Sequence, residues 1–174
     1  MPELPEVETV VRMLAPLRGR TIRDAVVLHK PTVSGSPLKF GTLRNRRVEK
    51  VHRRAKFIRI DLDNGFGLVT HLRMTGWLGI LPADYTNTKH DPYVRLKFNL
   101  DDGREQLVFS DIRTFGRVWY GETEKLNALK ALAKLGPEPL ELDPREFAAR
   151  GKAWQIGEFD GKRVQNESRH GRLA

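Results

Sequence analysis

The first three residues carry the most concentrated chemistry in this chain of 174 residues. Removal of Met1 would leave Pro2 with a secondary amine at the N-terminus. An α-amino group titrates near pH 8, roughly two units below lysine, so far more of it is a free nucleophile at neutral pH. Such an amine forms an iminium with an aldehyde carbon, as lysine does in Schiff-base enzymes. Glu3 lies beside it as a proton donor or acceptor. Taken alone, these residues read more simply as an acidic helix start with a helix-compatible proline. The histidines (His29, His52, His71, His90 and His170) are scattered without the spacing of a metal-ligand motif. The chain has no cysteine, which excludes disulfides and thiolate zinc sites. No metal and no cofactor is expected.

The elements that must position these residues follow from periodicity. Val7, Val10, Val11, Leu14 and Leu17 recur at helical spacing, so residues 5–17 read as a helix. Pro5 suits its first turn and the early glutamates complement the helix dipole. Pro16 ends the regular helix at about Ala15, and Gly19 is the final stop. Short alternating runs then suggest strands over 48–53, 56–62, 66–72, 94–100, 107–109 and 116–120. Asp63-Asn64-Gly65 and Asp101-Asp102-Gly103 supply turns between them. A second helix is expected over 123–135, with Leu126, Leu129, Leu132 and Leu135 on one face, Thr123 as N-cap and Gly136 as stop. Asp143-Pro144 opens a short third helix to about Arg150. From Gly151 the chain is polar, glycine-rich and basic without periodicity, and is read as a poorly ordered tail. The expected organisation is one mainly β domain with flanking helices over 1–150, followed by the tail at 151–174.

The formal net charge is +9, which favours a polyanionic partner such as nucleic acid. No run of about 18 apolar residues occurs and the acidic start is unlike a signal peptide, so no membrane association and a cytoplasmic, nucleoid-associated location are expected. Trp77, Trp119 and Trp154 are isolated in sequence, which argues against a stacked aromatic platform and against an RNA- or ribosome-binding module.

Six segments together resemble one family. Met1-Pro2-Glu3-Leu4-Pro5-Glu6-Val7-Glu8-Thr9 is similar to the N-terminal signature of the formamidopyrimidine-DNA glycosylase (endonuclease VIII-like) family. Arg53-Arg54-Ala55-Lys56-Phe57 resembles that family's basic strand entry with its lysine. His71-Leu72-Arg73-Met74-Thr75-Gly76, Lys89-His90-Asp91, Asp111-Ile112-Arg113-Thr114-Phe115-Gly116 and Leu135-Gly136-Pro137-Glu138-Pro139-Leu140 resemble four further motifs. They occur in family order across residues 2–150.

The resemblance implies a two-sheet antiparallel β-sandwich and a bifunctional glycosylase and abasic-site lyase of base-excision repair, acting as a monomer on oxidised purines in double-stranded DNA. It implies that Pro2 attacks the sugar C1′ and that Glu3 shuttles protons there. Lys56 would contact phosphate beside the lesion and assist elimination. His71 and His90 would contact phosphates. Met74, Arg113 and Phe115 would fill the gap left by an extruded nucleotide, an extrusion that costs a few kcal/mol of stacking and pairing. A flexible Met and a flat Phe suit a wedge between bases, and Arg suits hydrogen bonding to the orphaned base. A glycine directly after Phe115, and another two residues after Met74, fit turn-borne, exposed side chains.

Full family members continue into a helix-two-turn-helix element and usually a four-cysteine zinc finger, and neither pattern occurs in these residues. Asn166 stands outside any matching context. Fewer phosphate contacts mean weaker binding, so the expectation is lyase chemistry at abasic sites with weak or absent glycosylase activity. The alternative is a truncated DNA-binding remnant without catalysis.

Overall fold

The computed structural model describes residues 2–85, 92–136 and 138. The chain divides into two compact units, Met1–Leu135 and Gly136–Ala174. Apart from Gly136 and Glu138, the second lies outside the described residues, and with it the predicted helix at 143–150 and the tail at 151–174.

The first unit begins with α1 (Leu4–Met13). The Glu6 carboxylate accepts a hydrogen bond from the Glu3 backbone N–H at 3.0 Å, which satisfies a donor left open at the helix start. The helix stops two residues earlier than the sequence suggested. Leu14 already departs from helical geometry, and Ala15–Leu17 form a single 3₁₀ turn. Pro16 has no N–H to donate and disfavours helical geometry in Ala15 before it.

Eight strands follow: β1 (Thr21–Val27), β2 (Arg46–Arg54), β3 (Phe57–Leu62), β4 (Phe66–His71), β5 (Gly76–Pro82), β6 (Val94–Leu100), β7 (Glu105–Asp111) and β8 (Arg117–Glu122). Their order is β5-β7-β6-β1-β2-β3-β4-β8, with every pairing antiparallel. The first residues of β2 pair with β1 and the rest with β3, so the ribbon passes from one sheet into a second at this strand. Side chains from both sheets, including Ile22, Ile58, Leu68, Leu96, Phe98, Phe109 and Tyr120, form one buried cluster. Phe40 bridges it, its ring 6.1 Å from Phe98 of one sheet and 5.8 Å from Tyr120 of the other. This is the expected two-sheet antiparallel sandwich. Val7 and Val11 of α1 join the same cluster, and α1 contacts β2 and β3 of one sheet and β5 of the other.

The turn residues act as the sequence indicated. Asn64 and Gly65 take φ of 56° and 73° between β3 and β4, and Gly103 takes 66° between β6 and β7. Two strands, β1 and β5, carry no clear alternation in sequence. The predicted helix at 123–135 is broken into α2 (Thr123–Asn127) and α3 (Lys130–Ala133), with Leu129 extended at ψ 129°. Leucines every three residues drift off one face of a 3.6-residue helix. The break lets all four reach the outer face of the second sheet, where Leu126 and Leu132 are buried against Phe57, Val69 and Trp119, with Leu129 and Leu135 beside them.

Candidate active site

The sequence-predicted residues gather where strand ends and loops meet. The hairpin joining β2 to β3 has a two-residue loop, Ala55-Lys56, with Arg54 paired to Phe57. Ala55 takes φ 48°, an uncommon value for a residue with a Cβ. Arg53 Nη1 donates to the Ala55 carbonyl at 3.0 Å, and its Nε lies 3.4 Å from the Glu8 carboxylate, tying the hairpin to α1.

This arrangement brings Lys56 Nζ to 2.5 Å from Glu3 Oε2. The pair joins the turn to the residue next to half-buried Pro2. The hydrogen bond from Lys56, reinforced by its charge, holds the Glu3 carboxyl below its ordinary range. Glu3 is thus a carboxylate at neutral pH, an acceptor whose basicity the Lys56 hydrogen bond reduces.

Phe57, His71 and Arg117 continue in register across the same end of the second sheet. The His71 ring meets the edge of Phe57 at 4.6 Å. Burial, with the charges of Arg73 and Lys56 adding to it, pushes the His71 pKa down to about 4. Its Nδ1 accepts the Arg73 backbone N–H at 3.0 Å. The neutral ring therefore carries its proton on Nε2, a donor available to an anion.

Met74 and Phe115 stand out from two loops, one between β4 and β5 and the other between β7 and β8. They are 45% and 49% exposed, more than large apolar side chains usually show. Phe115 carries the Arg113 guanidinium over its ring at 4.9 Å. Arg73, Met74, Phe115 and Arg117 line a shallow depression.

One residue holds the two loops together. Asp111 is 1% exposed. Its Oδ1 accepts from the Thr75 hydroxyl at 2.5 Å and the Arg113 N–H at 3.2 Å, and its Oδ2 from the Gly116 N–H at 2.7 Å. A buried carboxylate is tolerable only when its oxygens are satisfied in this way. Arg117 Nη1 donates to the carbonyls of Thr114 and Gly116. The two glycines are needed for close approach. A Cβ on Gly76 would lie 2.4 Å from the Leu72 carbonyl oxygen, and one on Gly116 would lie 2.5 Å from the Phe109 ring.

The structure thus brings together Pro2, Glu3 and Lys56, and separately orders Met74, Arg113 and Phe115, with His71 at the same end of the second sheet as Lys56. His90 lies outside the described residues. Sequence reasoning missed the role of Asp111, although an aspartate two residues before Arg113 and five before Gly116 is a loop-capping pattern. A larger depression along α1 and β2, lined by Val11, Arg12, Ala15, Arg18, Glu49, Lys50 and Val51, is formed mostly by apolar groups and the stems of basic side chains, and none of the predicted site residues lines it.

Residues 1–118 match the family model described as the formamidopyrimidine-DNA glycosylase N-terminal domain. The formamidopyrimidine-DNA glycosylase of Chloroflexus aurantiacus is 44% identical over 146 residues, which cover 82% of this chain and 50% of that protein. The enzyme of the same name from Pelotomaculum thermopropionicum is 45% identical over 152 residues, covering 84% of this chain and 53% of that protein. The solved structure of Lactococcus lactis formamidopyrimidine-DNA glycosylase, non-covalently bound to DNA containing an abasic site, superimposes with a TM-score of 0.70 at 26% identity, over 84% of this chain and 54% of that one. The chain spans about half the length of the curated relatives it matches. The family model spans more than half of the chain and both relatives are above 40% identical over more than four fifths of it, so the chain belongs to the formamidopyrimidine-DNA glycosylase family.

Proposed function

We propose that this chain acts on damaged double-stranded DNA in base-excision repair, through the amine of Pro2 once Met1 is removed. The observation that carries the reading is the Lys56–Glu3 pair at 2.5 Å, fixed beside the only secondary amine an N-terminus can offer.

At an abasic site the deoxyribose is available as its open-chain aldehyde. The Pro2 nitrogen adds to C1′, and loss of water gives an iminium whose positive nitrogen withdraws electrons from the sugar. The Glu3 carboxylate then accepts a proton from the sugar carbon next to C1′. Those electrons expel the 3′ phosphate, which leaves with its bonding pair. Lys56 contributes positive charge where negative charge collects on phosphate. At an oxidised purine, attack on C1′ breaks the glycosidic bond first, the base departing with that electron pair, and the C1′–O4′ bond then opens, O4′ taking a proton, to give the same iminium. The iminium is itself the electron sink, so the reading calls for no metal and no cofactor. Met74 and Phe115 would enter the stack as the nucleotide leaves, and Arg113 would meet the unpaired base. The neutral His71 would donate Nε2–H to a backbone phosphate. The protein would act as a monomer, in the cytoplasm on the nucleoid. The relatives' shared name and the abasic-DNA complex of the Lactococcus lactis enzyme support this reading.

The test is borohydride trapping on duplex DNA carrying one abasic site or one 8-oxoguanine. A covalent protein–DNA band on the abasic duplex, with a weaker one on 8-oxoguanine, is expected. No band on either substrate, from folded protein lacking Met1, would leave a chain that binds DNA without catalysis.

A further inference from the structure

The depression along α1 and β2 encloses about 460 Å³ and has two kinds of lining. Val11, Ala15 and Val51 supply an apolar part, and Arg12, Arg18 and Lys50 supply positive charge. It adjoins a second depression of about 470 Å³, with which it shares Arg18 and Glu49 and to which Arg47 belongs. The local backbone explains part of this arrangement. Val48 pairs with Leu62 and Lys50 with Asp61, so β2 carries one extra residue against β3 at this point. Such a bulge interrupts the in-and-out alternation of a strand, and Glu49 and Lys50 are both exposed beside buried Val48. Arg12 pairs with Glu8 at 3.1 Å. Arg18 and Arg47 are exposed and form no ion pair among the described residues.

We propose that this groove seats an acidic peptide segment of a partner protein, with a large apolar side chain against Val11, Ala15 and Val51 and carboxylates toward Arg18, Arg47 and Lys50. The proposal goes beyond the DNA-directed reading and does not depend on it. Charge complementarity calls for an anion, because the joined lining holds Arg12, Arg18, Arg47 and Lys50 against the single carboxylate of Glu49. Clustered arginines recognise acidic motifs in this way. The apolar lining decides which anion fits. A nucleic-acid backbone presents phosphate and sugar but no large apolar group, and would leave Val11, Ala15 and Val51 uncovered. An acidic peptide with an apolar anchor covers them and meets the cations at the rim, the usual division between the core and rim of an interface. A second copy of this chain is disfavoured by like charge, since each copy carries +9. The groove begins in the last turn of α1, a helix about 15 Å long whose N-cap is Glu3. A partner seated there does not occupy the candidate active site, because none of Pro2, Glu3 and Lys56 lines it.

The experiment measures fluorescence anisotropy of labelled probes on the full chain. The probes are a peptide of aspartates and glutamates around a central Leu-Phe pair, the same peptide with Ser-Ser in place of Leu-Phe, and a single-stranded oligothymidylate of equal charge. Ala15→Asp charges the apolar lining, and the double variant Arg18→Glu, Arg47→Glu reverses its cations. All three residues are exposed, so the fold should tolerate the changes. The double variant Lys39→Glu, Arg104→Glu makes the same change in net charge at exposed residues outside both depressions. The Leu-Phe peptide should bind about tenfold more tightly than the Ser-Ser peptide. Ala15→Asp and the Arg18, Arg47 reversal should each weaken it about tenfold, and the Lys39, Arg104 reversal less than about twofold. Failure of the folded parent to bind the Leu-Phe peptide, equal binding of both peptides, or equal losses in the two reversals would overturn the proposal. Oligothymidylate binding that falls with Ala15→Asp and the Arg18, Arg47 reversal as steeply as peptide binding would assign the groove to nucleic acid and also overturn it. Borohydride trapping of the same parent on an abasic duplex tests the DNA-directed reading separately. Trapping without peptide binding would overturn the groove proposal alone, and peptide binding without trapping would overturn only the catalytic reading.

Discussion

Lys56 Nζ and Glu3 Oε2 lie 2.5 Å apart, linking the tip of the β2–β3 hairpin to the residue that precedes α1. The contact couples the charge state of the carboxyl to the lysine beside it. Because the Lys56 hydrogen bond is the main cause that lowers the Glu3 pKa, Lys56→Met should return the carboxyl toward its ordinary value near 4.5. Carbon-13 NMR of the Glu3 carboxyl across pH 2–7 reads this directly. An unchanged midpoint would show that the pair does not persist in solution.

Asp111 is predicted to be the structural key to the two presenting loops. Asp111→Asn retains size but replaces one acceptor oxygen with a donor, so it cannot serve Thr75, Arg113 and Gly116 at once. A loss of about 1–3 kcal/mol in unfolding free energy is expected, since buried donors are left unpaired. Urea denaturation measures it. A loss confined to a few tenths would mean that water replaces the carboxylate.

His71 should titrate near pH 4 rather than near 6.5, because burial disfavours its charged form. Between those two values the unfolded chain binds more protons than the folded one. The His71 contribution to stability is thus full above about pH 6.5 and is lost as pH falls toward 4. His71→Asn should flatten the decline in the urea midpoint between pH 7 and pH 4.5. Nitrogen-15 NMR should also find the proton on Nε2 at neutral pH. A ring protonated on both nitrogens at pH 6 would contradict this account.

Met74→Ala and Phe115→Ala should separate stability from function. Both side chains are about half exposed, so each change should alter unfolding free energy by no more than about 0.5 kcal/mol. Affinity for duplex DNA with an abasic site should fall by about tenfold in each, because an aromatic or apolar wedge at the centre of an interface carries a large share of binding. Fluorescence anisotropy with a labelled duplex makes the comparison.

The alternating burial of Val94, Leu96, Phe98 and Leu100 was legible in sequence because period-two patterning survives wherever one strand face is buried. The turns at Asn64-Gly65 and Gly103 were legible because few other residues accept their backbone angles. β1 was not, since Asp24 and the mixed burial of its residues break the alternation. β5 was hidden because Gly79 stands where an outward side chain would be expected and Trp77 fills the space. Pro2, Glu3, Lys56, Met74, Arg113 and Phe115 were singled out as candidates through motif resemblance. Their spacing alone contains nothing to show that Lys56 folds back onto Glu3, a contact set by the hairpin loop and by the Arg53–Glu8 tie. The pairing of Trp77 with Ser110 arises from cross-strand register, which no local pattern encodes.

The central claim is that the nucleophile is the nitrogen of Pro2. The most direct test reduces the protein–DNA adduct formed on an abasic duplex, digests both partners, and locates the sugar remnant by tandem mass spectrometry. The account predicts the remnant on the N-terminal peptide, on the Pro2 nitrogen, and its loss when the N-terminus is extended by a retained tag. A remnant on Lys56 or another lysine, formed equally well with the tag in place, would contradict it.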